Sequence, residues 1–230
     1  MQPKESINDF VIKFANVNGT GSASANGMFA KAIFRMGIPV SPRNIFPSNI
    51  QGLPTWYEVR VSQDGYLGRR GGIDMMISVN PQSFAKDVSE VEPGGYMVYD
   101  TTKPLDLRHV RRDVNYLGIP LTEMCLREYT DSRQRQLFKN VIYVGALAAL
   151  LNIDFAILKD LVREQFKGKE KLITPNIHAL EMGHQYASTH FTCPLGIHLK
   201  AGEQTPKHIE EFDQILMDGN TATALGAVYA

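Results

Sequence analysis

The sequence predicts an α/β protein: a three-layer α/β/α open sheet, mostly parallel, with a helical C-terminal half. Three observations carry this expectation. Short apolar runs of strand length alternate with segments of helical period through the first half. Ile73–Val79 is apolar almost throughout, as suits a strand covered on both faces. From Leu121 onward the apolar residues recur at helical spacing, most clearly at Leu137, Ile142, Tyr143, Ala146, Leu147 and Leu150.

The elements follow in order. Phe10–Val17 reads as a strand, with Val11, Ile12, Phe14 and Val17 apolar. Gly19, Gly21 and Gly27 punctuate a turn, and Met28, Phe29, Ala32, Ile33 and Met36 then mark a helix. Ile38-Pro39-Val40 restarts an extended segment, and Pro42 and Pro47 keep Ser41–Ile50 out of a helix. Trp56–Val61 is a β-branched, alternating strand; Asp64-Gly65-Tyr66 and Gly68–Gly72 are turn chemistry. Asn80-Pro81 starts a short helix, Gln82–Val88. Pro93-Gly94-Gly95 turns the chain into strand Tyr96–Tyr99, and Val114–Pro120 forms another short strand. Helices are expected over Gln136–Leu151, Asn152–Phe166, Thr174–Ala187 and Pro206–Met217, with Lys167–Lys171 a solvated charged stretch and Ser188–Thr205 a loop. Thr221–Ala230 reads as a small-residue helix that stops in mid-pattern, as if a larger polypeptide continued or a partner covered it.

Composition narrows the function. Lys+Arg and Asp+Glu are both 24, so no bulk charge draws the chain to nucleic acid or to an anionic membrane. The longest apolar run, Val141–Leu151, is too short to span a bilayer, and Met1–Asp9 has no signal-peptide core. Cys125 and Cys193 build no disulfide framework and are too few to ligate an iron–sulfur cluster; they point to a reducing, cytoplasmic compartment.

The glycine turn is the leading candidate site. A strand–turn–helix lets backbone N–H groups approach a phosphate or another anion, and Gly19 and Gly21 leave room for it. Thr20, Ser22, Ser24 and Asn26 add small uncharged hydrogen-bonding side chains, and Gly27 would bring the helix close to the sheet. A plain βα turn without a ligand stays open beside this. A dinucleotide fold wants an acidic residue about 20 positions past the turn. That count ends in Ile38–Arg43, which offers Ser41 and Arg43 and no acid. NAD is disfavoured; a phosphorylated ribose, as in NADP or coenzyme A, is compatible with Arg43. No Walker motif and no Gly-x-Ser-x-Gly elbow occurs, and neither cysteine has an evident base. His184, His190 and His198 lack metal-ligand spacing. Trp56 reads as a core or interface aromatic or as the wall of a cofactor pocket, and Arg69-Arg70 as an anion clamp or an exposed turn.

Three stretches carry a resemblance: Val17–Gly27, Lys31–Pro39 with its Arg-Met-Gly37-Ile-Pro end, and Phe46–Tyr57. Together they closely resemble the N-terminal part of the alpha subunit of 2-oxoacid:ferredoxin oxidoreductases, the variety with a gamma domain fused ahead of the alpha (pyrimidine-binding) domain. Asp74, Gly94-Gly95, Asn140–Gly145, Asn176 and Gly183 agree in order. The resemblance implies residues 1–200 as a gamma-type domain and 201–230 as a linker and the start of a following alpha domain. It implies an assembly that oxidatively decarboxylates a 2-oxoacid, 2-oxoglutarate above all, to acyl-coenzyme A and carbon dioxide while reducing ferredoxin. It also implies the reverse reaction, as in a reductive TCA cycle. Thiamine diphosphate and the iron–sulfur cluster would sit in partner modules, the alpha continuation and a beta subunit, so this chain would be inactive alone. Coenzyme A would face this domain at Gly19–Gly27. The chain departs from the family's Gly-x-Gly-Gly-x-Gly turn, having Ser22-Ala23 and a displaced Gly27. A ligand-free scaffold domain and an NADP-dependent oxidoreductase domain are the competing expectations.

Overall fold

The computed structural model describes residues 2–46, 53–202 and 215–229. Strand β1 (Ser6–Ile7) leads into β2 (Asp9–Val17), the glycine turn and helix α1 (Ser22–Arg35). Strands β3 (Val40–Ile45), β4 (Pro54–Ser62) and β5 (Ile73–Ser78) follow. A 3-10 turn (Pro81–Ser83), helix α2 (Phe84–Glu90), β6 (Val91–Asp100) and β7 (Asn115–Ile119) complete the sheet region. The rest is α3 (Leu121–Glu128), α4 (Ser132–Leu151), α5 (Phe155–Gln165), α6 (Glu170–His190), β8 (Ile197–His198) and α7 (Gly219–Tyr229).

Six strands form one sheet in the order β3-β4-β2-β5-β6-β7. The β2–β5, β5–β6 and β6–β7 pairs are parallel; β4 pairs antiparallel with β2 and β3. Pro42 is tolerated because β3 is an edge strand. β1 and β8 add a small parallel pair that ties the N-terminal segment to the end of the helical half, clamped by Asn8, whose Nδ2 donates to the Lys200 carbonyl and whose Oδ1 accepts from Lys200 N–H.

The two helical layers are unequal. Phe10, Ile12 and Phe14 of β2 face the large core with α1, α4 and α6. There the Phe14 ring meets Phe29 edge-on at 5.2 Å and lies 5.8 Å from Tyr143. Burying each such ring contributes about 1.5–3 kcal/mol. Val11, Ala15, Met76 and Met97 face the other way, covered among the described residues by the short α2 and by Trp56, Leu105 and Tyr116.

Several boundaries differ from the sequence expectation. α1 begins at Ser22 rather than Met28, so Ser22, Ser24 and Asn26 are helical and not loop residues. Ser-Ala-Ser-Ala-Asn does not resist a helix, and the cost of Gly27, about 1 kcal/mol, is outweighed by burying Met28, Phe29 and Ile33. Gly27 does not mediate close packing, because a side chain there would meet open space. Close approach occurs instead at Gly145 and Gly183, where α4 and α6 cross. Pro93-Gly94-Gly95 does not break the chain into a turn; it lies inside β6 as an irregularity, with register shifting between Ile73 and Met75. α6 starts at Glu170, absorbing part of the charged stretch. The helix expected over 206–217 falls mainly outside the described residues, and 215–217 are not helical.

Candidate functional site

The chain after β2 is held in a tight left-handed path. Gly19 has φ 86° and Gly21 has φ 77°, conformations that side chains other than glycine rarely adopt. Asn140 Nδ2 donates to the Thr20 carbonyl at 2.9 Å, and Thr20 Oγ1 turns back onto the Val17 carbonyl at 2.8 Å. Leu137 of α4 fills the space where a Gly21 Cβ would be. Gly21 is therefore demanded by its left-handed backbone with or without a ligand, since the Leu137 methyl could move aside.

This path delivers the N-terminus of α1 with no capping side chain and no acidic residue in its first turn. The N–H groups of Ser22, Ala23 and Ser24 have no acceptor within the helix. No other acceptor among the described residues takes them. The dipole of a 14-residue helix adds partial positive charge there.

A cavity of about 290 Å³ opens beside that terminus. Asn16 and Asn26 lie at its floor, both almost fully buried. Gly21 and Ala23 form an exposed rim. Asn44, Thr55, Trp56 and Tyr57 make the opposite wall, with Phe46 at its end. Tyr143 donates to Asn26 Oδ1 at 2.6 Å beneath the floor, and burial pushes its hydroxyl far above the ordinary tyrosine range. Asn16 lies beside the same hydroxyl and favours its ionised form. Yet neither Asn16 Nδ2 nor Oδ1 reaches a partner with hydrogen-bond geometry. Burial likewise raises the Tyr57 hydroxyl to about 12, so the pocket wall is neutral across the physiological range.

Of the seven predicted site residues, the fold brings Gly19, Gly21, Ser22 and Asn26 to this cavity. Thr20 is spent on the turn. Ser24 faces α5, where its Oγ accepts from Gln165 Nε2 at 2.9 Å. Arg43 is misplaced for the role expected of it. It stands in one cross-strand row with Glu58 and Lys13, and Lys13 pairs with Glu90 of α2 on the other face of the sheet. Its neighbour Asn44 lines the cavity instead, and among the described residues no cation does. Sequence reasoning missed Asn16, Asn44, Thr55 and Tyr143; only Asn16 carried a local signal, a polar residue closing an apolar strand directly before the turn.

Trp56 is half-buried and fixed from behind. Its Nε1 donates to Asp87 Oδ1 at 2.9 Å, and Lys86 Nζ stands 4.1 Å from the ring centroid. Asp87 also accepts from Ser83 Oγ at 2.7 Å and Ser78 Oγ at 3.0 Å. Burial raises its pKa above the usual 3.8 despite these three donors. An acid shifted upward by folding stabilises the fold when protonated, and that contribution is lost as pH rises through the raised value. Asp87→Asn is therefore expected to flatten the fall in stability from about pH 4 toward neutrality. Denaturant midpoints of both proteins across that range check this; parallel pH profiles would contradict it.

The remaining candidates have structural employment. Arg70 pairs with the buried Asp74, which also binds Lys4 and the Val11 N–H, while Arg69 is exposed. His184 packs on Phe155, His190 stacks on Tyr186, and the described residues contain no group of three His, Cys, Asp or Glu able to hold a metal. Burial raises the Cys125 thiol to about 11, which keeps it protonated. Among the described residues no helix is long and apolar enough to cross a membrane.

The sheet order and the strand–turn–helix at the carboxyl end of β2 define an open-sheet α/β domain with a pocket at its strand-end edge. The chain belongs to the pyruvate ferredoxin/flavodoxin oxidoreductase family, whose sequence profile matches residues 11–186. It is 24% identical over 81% of its length to the 2-oxoacid:ferredoxin oxidoreductase 2 subunit alpha of Aeropyrum pernix, and 21% identical over 99% to the 2-oxoglutarate oxidoreductase subunit KorA of Mycobacterium tuberculosis. It spans only 35% and 38% of those two proteins. The 2-oxoglutarate:ferredoxin oxidoreductase from Magnetococcus marinus, solved with 2-oxoglutarate, coenzyme A and succinyl-CoA bound, superposes on 96% of this chain. The TM-score is 0.82 at 25% identity, and the match covers 37% of that chain. The keto/oxoacid ferredoxin oxidoreductase gamma subunit from Geobacter sulfurreducens shares the fold, with a TM-score of 0.62 at 17% identity over 78% of this chain and 99% of its own.

Proposed function

We propose that residues 1–200 are the gamma-type domain of a 2-oxoacid:ferredoxin oxidoreductase, of 2-oxoglutarate type, and that the pocket at the start of α1 holds part of coenzyme A. Residues 201–230 are then the linker and the opening of an alpha domain. The observation that carries the ligand role is the uncapped α1 terminus facing a cavity whose floor holds an unpartnered carboxamide. The likeness to a structure solved with coenzyme A supports the choice of ligand. The names of two relatives, a KorA and a KorC subunit, support 2-oxoglutarate.

Coenzyme A supplies the acyl-accepting thiol when bound. The Ser22 and Ala23 N–H groups would donate to its negatively charged oxygens, and Gly19, Gly21, Asn16 and Asn26 would bound the space it enters. The described residues offer no cysteine set for a cluster, and thiamine diphosphate and iron–sulfur chemistry belong to companion modules, the alpha domain and a beta subunit, with ferredoxin as acceptor. A ligand-free scaffold is the second reading. It is favoured by one observation, that the left-handed backbone at Gly21 calls for glycine whether or not a ligand binds.

The test is reconstitution with the companion modules. Ferredoxin reduction by 2-oxoglutarate is expected to depend on coenzyme A and on the presence of this chain together. Full coenzyme A-dependent turnover without this chain would contradict the proposal.

A further inference from the structure

The cavity beside α1 holds two kinds of chemistry, separated by depth. Ala23, in the first turn of α1, stands on its exposed rim, where a charged group stays in contact with water. Its interior is neutral as far as the described residues line it, with no Lys, Arg, Asp or Glu among them. A volume of about 290 Å³ is at the lower limit of small-molecule pockets, so it takes one moiety of a large cofactor and not the whole. Tyr57 supplies flat apolar wall, whereas the Trp56 ring lies on the other face of the sheet against Asp87 and Lys86 of α2. On the floor, Asn16 is 2% exposed and keeps both a donor and an acceptor unpartnered. Leaving such a pair buried and unmatched is costly, and a ligand edge with a complementary donor and acceptor would relieve that cost.

From this arrangement we infer that the cavity takes the purine base of its ligand, and that Asn16 is the residue that reads the base edge. This rests on the coenzyme A reading. A carboxamide presents a donor and an acceptor side by side, the complement of the N6–H and ring nitrogen of adenine. The aromatic wall receives the face of the ring while the phosphates attached through the ribose reach the helix N–H groups at the rim. Neither phosphate nor an aliphatic chain would use both atoms of Asn16 and the flat wall together. Asn16 is therefore a specificity residue, and Tyr143 and Asn26 position the floor around it.

The experiment compares coenzyme A with 1,N6-etheno-coenzyme A, whose extra ring removes the N6–H donors, in the assembled oxidoreductase. The native enzyme is expected to prefer coenzyme A roughly tenfold or more in kcat/KM. Asn16→Leu, and independently Asn16→Ser, should cut that preference to within about threefold, mainly by losing activity toward coenzyme A. The Ser variant preserves the test should the Leu variant fold poorly. A preference that survives both substitutions overturns the role of Asn16. No preference in the native enzyme, together with a raised KM for both cofactors in Ala23→Glu, overturns the base assignment while the coenzyme A site stands. If none of these substitutions moves either KM, both the inference and the reading beneath it fall.

Discussion

Gly183→Ala and Gly145→Ala are each expected to destabilise the domain by roughly 2–4 kcal/mol. A Cβ on Gly183 would overlap the Ile142 carbonyl oxygen, and one on Gly145 the Leu180 carbonyl oxygen. Both obstacles are backbone, so no rotamer change relieves them; α4 and α6 must move apart. That separation loosens Ile142, Leu147 and Leu180, all fully buried in the main core. The loss exceeds the gain of about 1 kcal/mol that alanine brings to a helix interior. Against a typical total of about 5–15 kcal/mol, it is a large share. Gly27→Ala is the matched control. It is also helical but faces open space, so it should stabilise by about 0.5–1 kcal/mol. Urea midpoints of the three variants decide the matter; equal effects at all three positions would contradict the packing described.

The second large effect separates a binding terminus from a merely structural one. Ala23→Glu places a carboxylate in the first turn of α1, at the exposed rim of the cavity. For the isolated fold this favours stability by about 0.3–1 kcal/mol, because an acidic side chain complements the positive helix end. For an anionic ligand it does the reverse, competing for the same N–H groups and repelling the incoming charge. The expected outcome is a KM for coenzyme A raised about tenfold or more in the assembled enzyme, with thermal stability unchanged or higher. A scaffold domain would show the stability gain with no change in KM. Because the two readouts move in opposite directions, misfolding cannot imitate the result.

Much of the fold was legible in the sequence because strand and helix periods are local properties. The continuous apolar run of β5 and the stripe from Leu137 to Leu150 announced their elements directly. What escaped depends on tertiary context. Nothing in Ser22–Gly27 forbids a helix, and only the pull of Met28, Phe29 and Ile33 into the core extends α1 back to Gly21. Pro93-Gly94-Gly95 looks like a turn, yet pairing with β5 holds it as an irregular part of one strand. β1 and β8 are two residues each and exist only because distant segments meet. The site was half-legible for the same reason. The glycines and the uncapped terminus are written in consecutive residues. The wall comes from β3 and β4, so its members depend on register: one position along β3 separates Asn44, which faces the cavity, from Arg43, which faces away.

The central claim is that the first-turn N–H groups of α1 receive a negatively charged part of coenzyme A. A structure of the assembled oxidoreductase soaked with coenzyme A tests it most directly. Phosphate oxygens are expected within hydrogen-bond distance of the Ser22 and Ala23 N–H groups, with the cofactor entering the cavity between Asn16 and Tyr57. Coenzyme A ordered elsewhere, with those N–H groups covered by a companion module's own side chains, would contradict it.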